Sequence, residues 1–398
     1  MDGQAAGVDR ISALPDDVLH VILGRLGYAP AVSKTAVLSR RWRHVWTRAK
    51  SLTFKDTDMF LINKSDFASF VDWVLAQRGN DADLLESLEI HVKGEHCTNG
   101  VIISPEKVNE WLRYAAQHVV GSVNTNIGCS PREEQAIVEV PSHGRAVSIS
   151  LVLPDHRFQP IGHVAGARHE VLTKLQLFSL SFSEDGSELS EFVASCCPRL
   201  RRLFIYGPDG LHRLVLQSES LEDLAISSAV DLLTLDVQIP NLRVFYMCRC
   251  FTFRKIFNNC EEYVHDNKMV RIVAPKLEEI ATMHNYRSKA ADLDIHDLSS
   301  VRRLTNLCFD MHGKYHCDND VGFWLFESCT NVEHVAVSLR HMPCANAPMD
   351  GLVDLTASEG KAPLGKVRSL AVRASHFPKR HLVGSMSSLL IGGKSVGS

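Results

Sequence analysis

The sequence predicts an α/β chain, with short helices at its N-terminal end and then parallel strands supplied one per repeat by a recurring apolar motif. Three observations carry that expectation. Apolar residues fall at helical spacing up to Ala49, an apolar-x-x-apolar-x-apolar pattern recurs from Leu85 onward, and three copies of it, at Leu200, Leu221 and Leu242, start 21 residues apart.

The first helix is expected to start at Pro15, because the first turn needs no backbone N–H there, and Asp16 and Asp17 place negative charge on the positive helix end. Val18, Leu19, Ile22, Leu23 and Leu26 then cover an arc of roughly 140°. After a turn through Gly27-Tyr28-Ala29-Pro30, a second stripe runs Leu38, Trp42, Val45, Trp46 and Ala49, again at helical spacing. Three short helices of about 40 residues cannot bury two such faces on one another unaided. Some of that surface is left for another protein.

Residues 51–80 read as a helical connector, with one amphipathic helix through Phe67, Phe70, Val71, Val74 and Leu75, closed by Arg78-Gly79-Asn80. Residues 81–380 read as the repeat domain. The motif stands at Leu85/Leu88/Ile90, Leu172/Leu175/Leu177, Leu200/Leu203/Ile205, Leu221/Leu224/Ile226 and Leu242/Phe245/Met247, and continues through Leu277, Val301, Val332 and Val367. The 21-residue spacing falls in the range of leucine-rich repeats, whose units bury their apolar strand faces only by stacking. Proline two residues before the first apolar position, at Pro198, Pro240 and Pro275, ends the preceding segment. Helices are expected at Pro105–Gln117, at Ser190–Cys197 and at Asp320–Cys329, and the polar stretch Asn124–Arg132 is expected to break the period. Residues 381–398 read as a disordered tail.

Leu14-Pro15-Asp16-Asp17-Val18-Leu19, together with Leu38-Ser39-Arg40-Arg41-Trp42-Arg43-His44-Val45-Trp46, resembles the F-box of plant proteins over residues 9–50. The repeats resemble the leucine-rich-repeat region of the same proteins. The resemblance implies a three-helix F-box followed by an irregular leucine-rich-repeat solenoid with a parallel β-sheet. It also implies a substrate-recognition subunit of an SCF-type ubiquitin ligase, docked on a Skp-family adaptor and through it on a cullin, holding a protein substrate for ubiquitination. The alternative is a protein that binds the adaptor without delivering substrate. By the same resemblance, Leu14, Pro15, Val18, Leu19, Ile22, Leu23, Leu38, Ser39, Trp42, Val45 and Trp46 would face the adaptor. Trp42 would be the strongest anchor, because large aromatics at interface centres carry disproportionate binding energy.

Side chains between the repeat leucines should project from the sheet, since strand residues alternate faces. On that ground Lys174, Gln176, Phe178, Arg202, Phe204, Tyr206, Asp223 and Tyr246 are the candidate substrate surface.

With 398 residues, 45% hydrophobic and 22% charged, disorder is not the default, and no apolar run is long enough for a membrane span. Eleven cysteines without regular spacing fit reduced thiols in a cytoplasmic or nuclear protein. The chain is basic up to residue 50 and acidic beyond it, so no nucleic acid is expected as the main partner. Arg40, Arg41, Arg43, His44 and Arg48 are expected to form the solvated back of the helix carrying Trp42 and Trp46.

No cofactor or metal is expected. Cys308, His312, His316 and Cys317 stand at ligand-like spacings, but Gly313 interrupts any helix that would align them. Gly392-Gly393-Lys394-Ser395 ends like a phosphate loop without the helix that would follow it, and no nucleophile elbow occurs. The chain is expected to be non-catalytic.

Overall fold

A computed structural model describes residues 14–26, 29–37, 41–56, 67–78, 84–92, 103–128, 136–161, 168–250, 269–283, 292–311, 325, 328–341 and 366–375. The chain divides into two compact units, Met1–Leu180 and Ser181–Ser398.

The first unit opens with helices α1 (Asp16–Leu26), α2 (Ala29–Lys34) and the short α3 (Trp42–Val45), the last two each running on into a 3-10 turn. Pro15 stands at the cap, where its carbonyl accepts the amides of Val18 and Leu19, each at 3.1 Å. Helix α4 (Phe67–Arg78) and helix α5 (Pro105–His118) follow where the apolar spacing places them.

Strands β1 (Ser51–Lys55), β2 (Leu85–Val92), β3 (Val119–Ile127), β5 (Ser148–Val152) and β7 (Lys174–Phe178) pair in parallel, while β4 (Ala136–Pro141) and β6 (His156–Ile161) form a separate parallel pair. Register aligns Leu52, Leu88, Val123, Ile149 and Leu175 in one buried row, with Phe54, Ile90, Thr125, Leu151 and Leu177 in the next.

Two expectations are corrected here. Residues 51–80 hold a strand as well as a helix, because Ala49, Leu52 and Phe54 carry the repeat motif with alanine in the first place, and all three are buried. The polar stretch from Asn124 does not break the period up to Ile127. Within β3, Val123, Thr125 and Ile127 point inward while Asn124 and Asn126 lie between them at the half-exposed positions, the period-two alternation of a strand.

The second unit begins with helix α6 (Ser187–Glu191), which continues as a π-type turn to Cys196 over the segment expected to be helical. Its larger parallel sheet comprises β8 (Arg202–Tyr206), β10 (Asp223–Ser227), β12 (Val244–Cys248), β14 (Glu279–Met283), β16 (Arg303–Met311), β17 (His334–His341) and β18 (Ser369–Ser375). Leu203, Leu224, Phe245, Ile280, Leu304, Val335 and Leu370 align across it.

A second parallel sheet, β9 (Arg213–Gln217), β11 (Thr234–Gln238), β13 (Met269–Val273) and β15 (Asp292–His296), is built from segments that fall between successive strands of the larger sheet. Its cause is in the sequence. Leu211/Leu214/Leu216 and Leu232/Leu235/Val237 repeat the apolar motif eleven residues after Leu200 and Leu221, so these repeats carry two strands each. Gly207, Ser228 and Arg249, again 21 residues apart, each adopt a positive φ of 52–56° one residue beyond a strand of the larger sheet and turn the chain out of it.

Of Asp320–Cys329, only residues 325, 328 and 329 are described, and residues 381–398 lie outside the described residues. Among the described residues no helix is long and apolar enough to cross a membrane.

Candidate functional site

At the helical end, the apolar arc of α1 is divided between two environments. Leu19 and Leu23 are fully buried, as are Ala29 and Val32 of α2. The neighbouring edge of the arc faces outward: Pro15 is exposed, Leu14 and Ile22 are half-buried, and Val18 and Leu26 are 41% and 42% exposed. Trp42, Val45 and Trp46 are buried within the unit, where the rings of Trp46 and Trp73 stack with centroids 5.7 Å apart. The anchor expected of Trp42 is therefore an internal one. Leu38 and Ser39 lie outside the described residues.

Val21 and Val37 were not among the expected contacts, yet they are 59% and 84% exposed. Val21 was legible, since it follows Val18 by three residues and widens the arc beyond the five residues first drawn on it.

The basic helix is not wholly a solvated back. Arg41 donates from Nε to Asp16 at 2.8 Å and pairs with it again through its terminal nitrogen, tying α3 to the first turn of α1. Arg48 is exposed, and Arg40 lies outside the described residues. Arg78 is buried and donates to the Ala49 carbonyl at 2.8 Å, which fixes the end of the helical segment to α4.

On the sheet of the first unit, Lys174, Gln176 and Phe178 are half-buried and alternate with Leu175 and Leu177 as the strand period requires. On the larger sheet of the second unit, Arg202 and Tyr206 are exposed, and Phe204, Asp223 and Tyr246 are half-buried. Phe204 and Tyr206 stack with ring centroids 6.5 Å apart. Register sets Ala225 between Phe204 and Tyr246, so two aromatics flank a shallow floor. Burial pushes the Tyr246 phenol above its ordinary value and raises the Asp223 carboxyl, the latter opposed by Arg202.

A charge ladder along the same sheet was missed. The residues just before its strands read Arg201, Glu222, Arg243, Glu278, Arg302, Glu333 and Arg368, alternating in sign from strand to strand. Each follows the first apolar residue of its motif, so the alternation was available in the sequence. Arg243 grips Glu278 with two bonds of 3.0 and 2.8 Å, and Glu333 lies 3.9 and 3.4 Å from Arg302 and Arg368. The Arg243 guanidinium holds the Glu278 carboxyl below its ordinary range.

Of the ligand-like set, His312, His316 and Cys317 lie outside the described residues. Among the described residues no group of three His, Cys, Asp or Glu side chains could hold a metal. The described thiols Cys196, Cys197, Cys248, Cys250 and Cys329 are all buried, and burial pushes Cys250 up to about 12, far from a reactive thiolate.

The helical end with its divided apolar arc matches one family model, the F-box domain, over residues 11–54. The chain carries an F-box. The match reaches into β1, so the F-box and the first strand share the unit. The chain is also similar to a putative F-box/LRR-repeat protein of Arabidopsis thaliana, 25% identical over 318 residues, which is 78% of this chain and 70% of that protein. It is also similar to a putative FBD-associated F-box protein and to an F-box protein of the same plant, at 28% and 29% identity, each over 50% of this chain. The chain spans 44% of the length of each of those two. F-box proteins are generally non-catalytic adaptor subunits of ubiquitin ligases.

Proposed function

We propose that this chain is the substrate-recognition subunit of an SCF-type ubiquitin ligase. Its F-box docks on a Skp-family adaptor, and through it on a cullin, while its repeat strands hold a protein substrate for ubiquitination. The observation that carries the reading is the F-box match over residues 11–54. The outward edge of α1, with Pro15, Val18, Val21 and Leu26 presented to solvent, supports it as an apolar surface in search of a partner. The expected contacts then divide by burial. Leu14, Pro15, Val18 and Ile22 touch the adaptor, while Leu19, Leu23, Trp42, Val45 and Trp46 hold the helices in the shape that presents them.

Candidate substrate contacts are Arg202, Phe204, Tyr206, Asp223 and Tyr246 on the second unit, and Lys174, Gln176 and Phe178 on the first. The receptor supplies proximity, and chemistry is left to other subunits.

Co-expression of the full chain with a Skp-family adaptor and a cullin tests the reading. A complex containing all three is the expected result, and Leu14→Ala with Pro15→Ala should deplete the adaptor from it. Undiminished adaptor binding by that double variant would sink the interface assignment. A complex that forms but never raises ubiquitin transfer to any bound protein would favour adaptor binding without substrate delivery.

A further inference from the structure

We propose that a shallow cleft on the first unit binds an acidic peptide segment carrying apolar side chains; this rests on the substrate-receptor reading above and names the class of substrate that the receptor takes. The cleft, of about 850 Å³, opens at the end of α5 and before β3, β5 and β7.

Its origin lies in the position that carries the charge ladder on the second unit. There the Glu222 amide donates to the Arg201 carbonyl at 2.8 Å, and the same backbone link joins Val147 to Gly121 at 2.8 Å and Thr173 to Val147 at 2.9 Å. The equivalent row in the first unit begins charged, with Lys50 and Glu86 paired at 3.2 Å, and then turns uncharged. Gly121 has no alternative, because a Cβ there would sit 2.1 Å from the Glu86 carbonyl oxygen. A side chain cannot follow Glu86 in the ladder, and the surface opens instead.

The cleft floor is apolar, with Val147 and Val171 43% and 39% exposed beside Val120. Arg145 and Arg168 stand exposed on its lips, and among the described residues neither has an ion pair or hydrogen bond. Glu170 also lines the cleft, so the two guanidinium groups outnumber the single carboxylate. The lip is held from beneath. His169, between Arg168 and Glu170, is buried and shares a 2.8 Å hydrogen bond with the Pro141 carbonyl. Exposed guanidinium groups fit carboxylates, which they can grip with two bonds each, and the valines fit aliphatic side chains between those carboxylates. A single-stranded nucleic acid would meet the same cations, but among the described lining residues there is no Phe, Tyr or Trp for base stacking, and the imidazole of His143 is the sole ring.

The test uses the full-length chain and a fluorescently labelled peptide alternating leucine with glutamate. Three comparison ligands are its lysine-for-glutamate counterpart, its serine-for-leucine counterpart and a single-stranded DNA oligonucleotide. The acidic peptide should bind best, weaken as salt rises, and weaken about tenfold on Arg145→Glu with Arg168→Glu. Val147→Ser should weaken it as well. Equal binding of the acidic and lysine peptides, equal binding of the serine counterpart, full competition by the oligonucleotide, or an unaffected double variant would each overturn the proposal. Adaptor co-purification is measured on the same proteins. It should be unchanged in the cleft variants, so failure of the peptide result and failure of the receptor reading are seen separately.

Discussion

The two units build the same parallel row of buried apolar side chains and finish its edge in opposite ways. In the second unit an arginine or glutamate precedes each strand of the larger sheet and meets its opposite across the rung. In the first, the row runs Lys50, Glu86, Gly121, Val147, Thr173 and opens into a cleft with Arg145 and Arg168 exposed on its lip, neither paired among the described residues. A repeat motif thus specifies the buried face of its strands and leaves the flanking position free, which is where two stretches of one chain can acquire different partners.

The largest effects should show the interiors to be equivalent. Leu88→Ala in the first unit and Leu224→Ala in the second remove fully packed leucines, and each should cost about 2–5 kcal/mol by denaturant unfolding. A much smaller loss in one unit would break the equivalence.

Next comes the glycine that interrupts the ladder. Gly121→Ala should cost roughly 1–3 kcal/mol, because its Cβ meets backbone rather than a yielding side chain. Near-neutral behaviour would mean that the break in the ladder has another cause.

Titration should separate the units further. His156 and His169, both in the first unit, are buried, and burial lowers both below their ordinary value of 6.5. A depressed histidine takes up its proton more readily in the unfolded chain. The stability it confers is therefore full above about pH 6.5 and is lost as pH falls toward its folded value. Hydrogen exchange should show the first unit loosening between neutral pH and mildly acid pH, and His156→Gln with His169→Gln should flatten that dependence. An identical response in both units would contradict the assignment.

The smallest effect belongs to the ladder. Exchanging Arg243 and Glu278 should leave the urea midpoint nearly unchanged, with any loss confined to low salt, since the pair is exposed and screened.

Much of this was legible in the sequence because burial imposes a period. The apolar stripe of Val18, Leu19, Ile22 and Leu23, the helix at Phe67–Arg78 and the strands at Leu200, Leu221 and Leu242 all follow from spacing alone. What escaped had the period without the size. Ala49 and Ala146 open strand motifs in the place where leucine was sought, and Thr125 fills an apolar row. The second sheet escaped because its motif, at Leu211 and Leu232, was hidden within a period already assigned to the first. On the helical site, spacing marked which residues are apolar but not which edge of the arc faces inward. That division depends on where α2 and α3 pack, and so Trp42 and Trp46 proved internal while Val21 was overlooked.

The most direct measurement is the affinity of the full chain for a Skp-family adaptor, read by calorimetry beside a thermal melt of each protein. Val18→Asp with Val21→Asp should abolish measurable binding and leave the melt unchanged, because both side chains already face solvent. Full affinity in that variant, or no affinity in the unaltered chain, would contradict the docking of α1 on the adaptor.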